Sequence, residues 1–554
     1  MSTPLLRSLA TGLLLGVAYP SGILPTWLSG WLALVALVPL LSAICSDRTM
    51  LPKLIHLYLG MAVFHGIANW WVGSYQEQTD PFLLASGIAL MIGHPFFLLL
   101  PWATLVYIRK RLSLSATLLS SPFVLTGFEW LHGQTDASYP WLSIGYSLID
   151  TPLVQLADIV GVYGLGFFIA TINAAVVAAI VWPSVRFRFV AAATLICTLW
   201  AVHGVLAAAA FDVDKQDQRQ GRPLNVALMQ SNDNPWVKWT SPVQQADRTR
   251  SFSDARLDSL QSLGAVDLVV WPETAIPFPI RHSEYATQWS DILQWTSRRS
   301  ISLLSGLSDL YVYPRDSAPA SARMSQADPS LRFDFFNAAG LISDAGFDVH
   351  YKTCLTPFAE RLPFADQLVF AQSWFQWGVG ISSWGKGASR TPLTLRRDSE
   401  EYKIGTIICI ESIYPDMVRD LVRNGATMLC VITNDAWYNG TPGPRQHHHI
   451  ARMRAIEQRR WLFRCALSGV TGIIAPDGTS VKELPEVTSG ALVGNVYNVH
   501  TTSLYAKFGD VIPMLSSAFT LVAIGMAGYA GLTLRRKQPQ LSTTSQSTPT
   551  STSL

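Results

Sequence analysis

YKIGTIICIESIYP, residues 402–415, holds the reading that decides the fold. It is an apolar, β-branched run bounded by turn residues, and such a run reads as a buried strand. The same signature recurs in LNVALMQS (224–231), AVDLVVWPE (265–273), ISLLSGLS (301–308), FFNAAGLIS (335–343) and TMLCVITNDAW (427–437). Segments rich in Ala, Arg, Glu and Leu, such as 244–263 and 446–464, lie between several of these runs. Strand–helix alternation predicts an α/β domain whose sheets are covered by helices. DAGF (344–347), between FFNAAGLIS and DVHYKT, predicts a hairpin turn. That implies antiparallel pairing and argues against a simple doubly wound sheet.

The quoted stretch also places Cys409 near the end of its strand. Two other segments repeat the arrangement. DLVVWPETAIPF (267–278) puts Glu273 after an apolar run, with Pro272 breaking the ladder just before it, and HYKTCLTPFAERLPF (350–364) puts Lys352 after the hairpin strand. Strand ends are where such folds carry their chemistry, so a carboxylate, an ammonium and a thiol are expected to converge. A free thiol titrates near 8.5 and attacks as thiolate. A nearby carboxylate raises that value, so Glu273 fits a general base that takes the thiol proton during attack. Lys352 offsets the thiolate charge and then stabilises an oxyanion, helped by backbone N–H groups near Cys409. Such acyl-enzyme chemistry needs no metal and no organic cofactor.

The composition says where this happens. Of 554 residues, 49% are hydrophobic and only 14% charged, against about 25% charged in an ordinary soluble chain. The shortfall lies in residues 1 to about 210 and again near 511–534. The expected organisation is a membrane bundle over 1–212, a globular domain over 222–500, a last span within 508–536 and a disordered Ser/Thr-rich tail over 537–554. A span needs about 20 apolar residues. Eight segments qualify: 6–24, 28–45, 54–73, 81–108, 114–131, 152–182, 189–210 and 511–534, of which 114–131 is interrupted by Ser-Ser-Pro at 120–122. With eight spans the basic clusters Arg48/Lys53, Arg109–Arg111, Arg186/Arg188 and Arg535–Lys537 share one side, whereas the alternate loops carry only Glu77, Asp80, Asp136 and Asp150. Positive residues mark the cytoplasmic side. Both termini are then cytoplasmic and the globular domain extracytoplasmic. The net charge of +3 sums two environments and carries little information. The six cysteines show no CxxC and no metal-ligand spacing. Cys45 and Cys197 read as small core residues, and the other four are open to disulfide pairing.

Taken together, the motifs resemble the carbon–nitrogen hydrolase (nitrilase) superfamily and, within it, the bacterial apolipoprotein N-acyltransferase family. WPETAIP is similar to that family's Glu motif, YKTCLTPFAERLPF to its Lys motif and CIESIYP to its Cys-x-Glu motif. TNDAWYNGTPGPRQHHHIARMRAIEQRRWLFR (433–464) resembles the block after the nucleophile, and YPWLSIGYSLIDTPLVQLADIVGVYGLGFF (139–168) resembles a membrane signature. The resemblance implies a four-layer αββα sandwich on an eight-helix bundle. It assigns Cys409 as nucleophile, Glu273 as base and Lys352 as oxyanion stabiliser. Glu360 and Glu411 match supporting carboxylates, Tyr351 and Asn337 match neighbours of the Lys motif, and Trp239 matches an aromatic associated with substrate binding. Ala359, Ile410 and Ala466-Leu467-Ser468 depart from the family pattern without touching the triad.

Several other segments stand out. FAQSWFQWGVGISSWGKG (370–387) carries Trp374, Phe375, Trp377 and Trp384 among Gly and Ser. That aromatic density suits a membrane interface, so the segment is read as a lipid-facing arm. Adjacent helical residues diverge by about 100°, so His447, His448 and His449 cannot all ligate one ion. The Arg-rich segment 452–464 reads as an amphipathic surface helix and not as a nucleic-acid site. His65, His94, His132 and Asp150 lie in or near spans. Asp150 and His132 fall at span ends, where water reaches them, which weakens a proton-relay reading.

The expected activity is transfer of an acyl chain from a membrane phospholipid, through a Cys409 thioester, to the N-terminal amine of a diacylated apolipoprotein. The chain is expected to work as a monomer in the bacterial inner membrane. A membrane-tethered amidase or nitrilase is the alternative; it has the same triad but leaves eight spans unexplained. A transporter with a degenerate binding module is a third reading, opposed by the intact triad and the scarcity of buried charge.

Overall fold

The structure is a computed structural model that describes residues 3–74, 81–211, 221–235, 239–259, 265–314, 317–326, 328–370 and 384–536. Glu77 and Asp80, the arm residues Trp374, Phe375 and Trp377, and the tail 537–554 lie outside the described residues.

The apolar half folds as helices α1 (Thr3–Ala18), α2 (Thr26–Ala36), α3 (Val38–Ile44), α4 (Leu54–Ala68), α5 (Pro81–Arg111), α6 (Leu114–His132), α7 (Ala157–Val181) and α8 (Arg186–Ala210). Among the described residues, five helical stretches are long and apolar enough to cross a membrane: Thr26–Ile44, Leu84–Arg111, Pro152–Val181, Arg186–Ala210 and Val511–Thr533; Thr3–Ala18 and Leu54–Ala68 are shorter. The outer face of α8 exposes Phe187, Leu199, Val205 and Leu206, an apolar surface suited to lipid. The Ser-Ser-Pro expected to interrupt 114–131 does not do so. Pro122 sits inside the continuous α6, and the Ser121 hydroxyl donates to Leu118 O at 2.8 Å, the carbonyl that a proline at 122 cannot serve.

The middle of the chain builds two sheets. The first holds β1 (Leu224–Gln230), β2 (Leu268–Val270), β3 (Ile276–Pro279), β4 (Ser302–Tyr313), β5 (Arg323–Met324), β6 (Arg332–Ser343), β7 (Gly346–Tyr351) and β14 (Gly490–Val496), in the order β14-β1-β2-β4-β6-β5, with β3 on β4 and β7 on β6. The second holds β8 (Leu393–Arg397), β9 (Glu400–Ile408), β10 (Met428–Thr433), β11 (Leu462–Ala466), β12 (Thr471–Ile474) and β13 (Ser480–Leu484), in the order β13-β12-β11-β10-β9-β8. The pairs β1–β2, β2–β4, β9–β10 and β10–β11 are parallel. The expected hairpin is present, with β6 and β7 antiparallel from Ala338↔Tyr351 to Ser343↔Gly346.

Alternation along the strands sends each residue set to a different core. Leu228, Leu268 and Leu304 of the first sheet meet Ile404, Ile408, Ile432 and Phe463 of the second in one buried cluster. Val269 and Leu303 point the other way, to Leu257 of α9 (Pro242–Ser259) and to Ile292 and Trp295 of α10 (Ala286–Arg299). Ile407 and Val431 pack on Met417 and Leu421 of α11 (Pro415–Arg423) and on Ile450 and Met453 of α12 (Gly443–Gln458). This last cluster continues into the apolar bundle through Tyr146 and Val162.

The reading of 452–464 as a surface helix is overturned. The helix α12 ends at Gln458, Arg459 caps it with φ 50, and the chain turns into β11. Arg454, Arg459, Arg460 and Arg464 are all buried. The apparent polar face is covered because α12 is wedged between the second sheet and the bundle, and each guanidinium finds a partner there. Arg459 meets Asp158 at 2.8 Å and Gln155 Oε1 at 2.7 Å, Arg454 meets Glu457 at 3.2 Å, and Arg460 donates to Ala426 O at 3.0 Å. Gln446 adds a second tie, accepting from Trp71 Nε1 and Trp141 Nε1 and donating to Ala68 O. After β14 the chain passes through α13 (Leu504–Phe508) into α14 (Val511–Arg536), which returns to the bundle. There Gly127 of α6 lets α14 approach closely: a Cβ at 127 would lie 3.0 Å from Ser517 Cα.

Candidate active site

Glu273, Lys352 and Cys409 are all carried at strand ends, as the sequence implies. Glu273 follows β2, and the chain passes it so near β4 that a Cβ on Gly306 would stand 2.6 Å from its Cα. Lys352 directly follows β7, and Cys409 directly follows β9, opening a short 3-10 turn, Cys409–Ile413. Glu273 and Lys352 are 5% and 1% exposed, so water contributes little to their charges.

Their contacts define one cluster. Lys352 Nζ donates to Glu273 Oε1 at 3.1 Å and to Glu360 Oε1 at 2.9 Å. Asn337 Nδ2 donates to the same two oxygens at 2.8 and 3.1 Å. The other Glu273 oxygen accepts from the backbone N–H of Asn434 at 3.0 Å, one residue beyond β10. Glu360 Oε2 is held by the Thr356 N–H and hydroxyl at 2.8 and 2.9 Å. Burial works against the Lys352 ammonium, but Glu273 and Glu360, with Cys409 behind them, hold its pKa well above the ordinary lysine value. Burial and then the Glu273 charge push the Cys409 thiol well up, with Lys352 pulling the other way. These surroundings therefore favour the thiol over the thiolate, and Glu273 is the neighbouring carboxylate.

Glu411 is wholly buried and ties the thiol's turn to the lysine's loop. Its Oε1 accepts from Thr353 N at 2.6 Å, Thr353 Oγ1 at 2.9 Å and Cys354 N at 3.2 Å, while its Oε2 accepts from Ile408 N at 2.8 Å. Burial opposes its charge, but His350 and these N–H donors bring its pKa below the usual carboxylate value.

Asn337, Glu360 and Glu411 thus stand with Glu273, Lys352 and Cys409, and Tyr351 does not. Alternation along β7 turns Tyr351 to the opposite face, where its hydroxyl donates to Asp309 at 2.7 Å. Trp239 is half-buried, with its ring 6.4 Å from that of Trp384. Trp384 was expected on a lipid-facing arm, but it is 6% exposed and its backbone N–H donates to Glu360 O at 3.1 Å. It packs inward because the chain has rejoined the domain beside Glu360.

Sequence reasoning missed a group behind the thiol. The backbone N–H of Asn434 had no side-chain signal at all. Asp435 accepts from Thr433 Oγ1 at 2.9 Å, His447 Nδ1 at 2.8 Å and Arg464 Nη2 at 2.6 Å. Its burial is outweighed by Arg464 and His447, which hold its carboxyl well below the usual range. The helical spacing of the His triplet, used to argue against a shared ion, also separates the partners: His448 Nε2 lies 2.8 Å from Glu483 and His449 Nδ1 3.2 Å from Arg452. Among the described residues no group of three His, Cys, Asp or Glu side chains is placed to hold a metal.

All six cysteines are free. Asp150 is paired with Arg452 at 2.7 Å. His65, His94 and His132 converge in the bundle, with ring centroids 5.2 and 5.0 Å apart, and His94 and His132 line a cavity of about 110 Å³.

Comparison with known proteins agrees with this organisation. Residues 11–175 match the model of the apolipoprotein N-acyltransferase N-terminal domain, and residues 225–504 match the carbon–nitrogen hydrolase model. An apolipoprotein N-acyltransferase from Chlorobaculum tepidum is 31% identical over 542 residues, 96% of each chain. One from Geobacter metallireducens is 30% identical over 546 residues, covering 96% of this chain and 95% of the relative. One from Azotobacter vinelandii is 29% identical over 426 residues, covering 76% and 75%. With a carbon–nitrogen hydrolase domain over half its length and full-length relatives at this identity, the chain belongs to the apolipoprotein N-acyltransferase family.

Proposed function

We propose that this protein moves an acyl chain from a membrane phospholipid to the α-amine of the diacylglyceryl-cysteine at an apolipoprotein's N-terminus, in two half-reactions on Cys409. In the first, Glu273 takes the thiol proton as Sγ attacks the ester carbonyl. The C–S bond forms, Lys352 faces the developing oxyanion, the C–O bond breaks, and Glu273 returns the proton to the departing alkoxide, releasing a lysophospholipid. In the second, the neutral amine attacks the thioester and Glu273 takes its proton. The C–N bond forms, the C–S bond breaks, and the proton returns to Sγ. The observation that carries this reading is the buried Lys352 bridging Glu273 and Glu360, with the Cys409 thiol within reach of the Lys352 and Glu273 charges. It stands on a chain with five helices apolar enough to span a bilayer.

The finer architecture belongs to the same proposal. Eight spans place the domain 222–500 outside the cytoplasm and both termini inside it, and the two facing sheets with outer helices correspond to a four-layer αββα sandwich. Bilayer-bound substrates then reach the site by lateral diffusion. The direct test is incubation with labelled phospholipid. A hydroxylamine-sensitive adduct on the wild type that disappears in Cys409→Ala is expected. An adduct that survives the substitution sinks the mechanism, and ammonia release from amides without any lipid adduct favours the amidase alternative.

A further inference from the structure

The Cys409 backbone has φ 51, in the left-handed region that a cysteine rarely occupies. A residue persists there only when its surroundings over-determine it. Glu411 holds one side of this elbow through Ile408 N. The other side is held by His447, reaching across from α12. Its Nε2 lies 3.1 Å from the Cys409 carbonyl oxygen and 2.8 Å from Ser412 Oγ, and its Nδ1 lies 2.8 Å from Asp435 Oδ1. Arg464 backs Asp435 at 2.6 Å, and the Trp141 ring covers the imidazole at 5.4 Å between centroids. His447, Ser412, Asp435 and Arg464 are all buried.

The chemistry of the partners fixes the donor at the Asp435 end of the ring. The Asp435 carboxylate, held well below the usual range, only accepts, so Nδ1 donates to it. Nε2 faces two groups, the Ser412 hydroxyl, which can donate or accept, and the Cys409 carbonyl, which only accepts and so is bonded only by a protonated Nε2. Ser412, His447 and Asp435 have the spacing of a hydrolase triad, but Ser412 is fully buried behind the elbow and cannot meet a substrate. The network instead ends on the nucleophile's own backbone.

We propose that His447 is a positioning residue for the nucleophile, anchored by Asp435 and donating through Nε2 to the Cys409 carbonyl, so that the left-handed elbow presents Sγ to the ester carbonyl. The proposal rests on Cys409 being the acylated residue.

Two near-isosteric substitutions separate this role from a merely structural one. In His447→Asn the amide N–H₂ overlays Nδ1, which keeps Asp435 and loses Cys409. In His447→Gln it overlays Nε2, which keeps Cys409 and loses Asp435. Acyl-enzyme formation is followed by rapid quench with labelled phospholipid, together with the lipid half-saturation concentration and thermal stability. Misplacing a reacting atom by about 1 Å costs roughly 100-fold, so His447→Asn is expected to acylate about 100-fold slower at an unchanged half-saturation. His447→Gln is expected to stay within about tenfold of wild type on the same scale. Equal rates for the two variants overturn the proposal, because the contact to Cys409 would then make no difference, and a faster His447→Asn overturns it, because anchoring to Asp435 would then be what matters. Absence of a thioester on the wild type overturns the parent reading first and is visible before either variant is made.

Discussion

At the residue scale, Glu273 is asked to be both partner and base. One oxygen is shared between Lys352 Nζ and Asn337 Nδ2, and the other is held by Asn434 N. These donors orient the carboxylate, and its charge helps to keep the Cys409 thiol protonated. Glu273→Gln should therefore separate two properties of the thiol. Acylation by phospholipid should fall roughly 10²–10⁴-fold, the usual worth of a general base. Alkylation of Cys409 by iodoacetamide at fixed pH should become faster, because the charge that raises the thiol pKa is gone. Parallel loss of both rates would mean that Glu273 only holds the site together. Glu411 gives a pH prediction. Its pKa is depressed in the folded state, so its contribution to stability is present above the unfolded carboxyl value, about 4.3, and is lost as pH falls through the lower folded value. The wild type should lose stability steeply below about pH 4.3, and Glu411→Gln should flatten that slope while being less stable at neutral pH. Chemical denaturation between pH 3 and 7 in detergent, an interval chosen to bracket that value, reads both.

At the element scale, strands β2, β9 and β10 were legible because both faces of β2, β10 and the second half of β9 are buried, which leaves continuous apolar runs. Glu273 and Cys409 stand out for the same reason, since each follows such a run, whereas Lys352 follows β7, whose residues are mostly not buried. The role of α12 was not legible. Its arginines alternate with Met453 and Ile456 as on a surface helix, and nothing local says that a second domain supplies Asp158, Gln155 and Asp150 as partners. Burial of charge is decided by tertiary neighbours, and so is the direction of Trp384. The same limit hid His447, whose partners Asp435, Ser412 and Cys409 come from three different segments. This wedge carries a prediction. Arg459→Met removes the guanidinium that bonds Gln155, Asp158 and the Pro476 carbonyl. Asp158, only partly buried, then keeps His203 at 3.3 Å, so the loss should lie below the about 3–5 kcal/mol of a fully buried broken pair. Thermal unfolding should drop accordingly, and limited proteolysis should begin between the bundle and the globular domain. A double substitution that also removes the acid, Arg459→Met with Asp158→Leu, should recover most of the loss.

At the scale of the whole molecule, the two halves are one machine only if the site faces the substrates. The contacts decide which end of the bundle carries the domain. Asp136 pairs with Lys386, Asp150 with Arg452, and Trp71 and Trp141 bond Gln446. All four bundle residues lie in or beside the loops that lack Lys and Arg. The basic loops are at the other end, where Arg48 and Arg109 bond to carbonyls of neighbouring loops, Leu112 O and Ser46 O. If positive residues stay in the cytoplasm, the domain lies outside it, and α14, packed on α6 through Gly127 and Ser517, must cross back. A green fluorescent protein fused after residue 536 should therefore fluoresce, and a phosphatase fused there should be inactive. A cysteine introduced at Thr135, in the Lys- and Arg-free loop, should react in intact spheroplasts with a membrane-impermeant maleimide, and one introduced at Thr49 should not. The reverse labelling pattern would place the thiol in the cytoplasm and remove the physical basis for an extracytoplasmic acyl transfer, even with every contact around Cys409 intact.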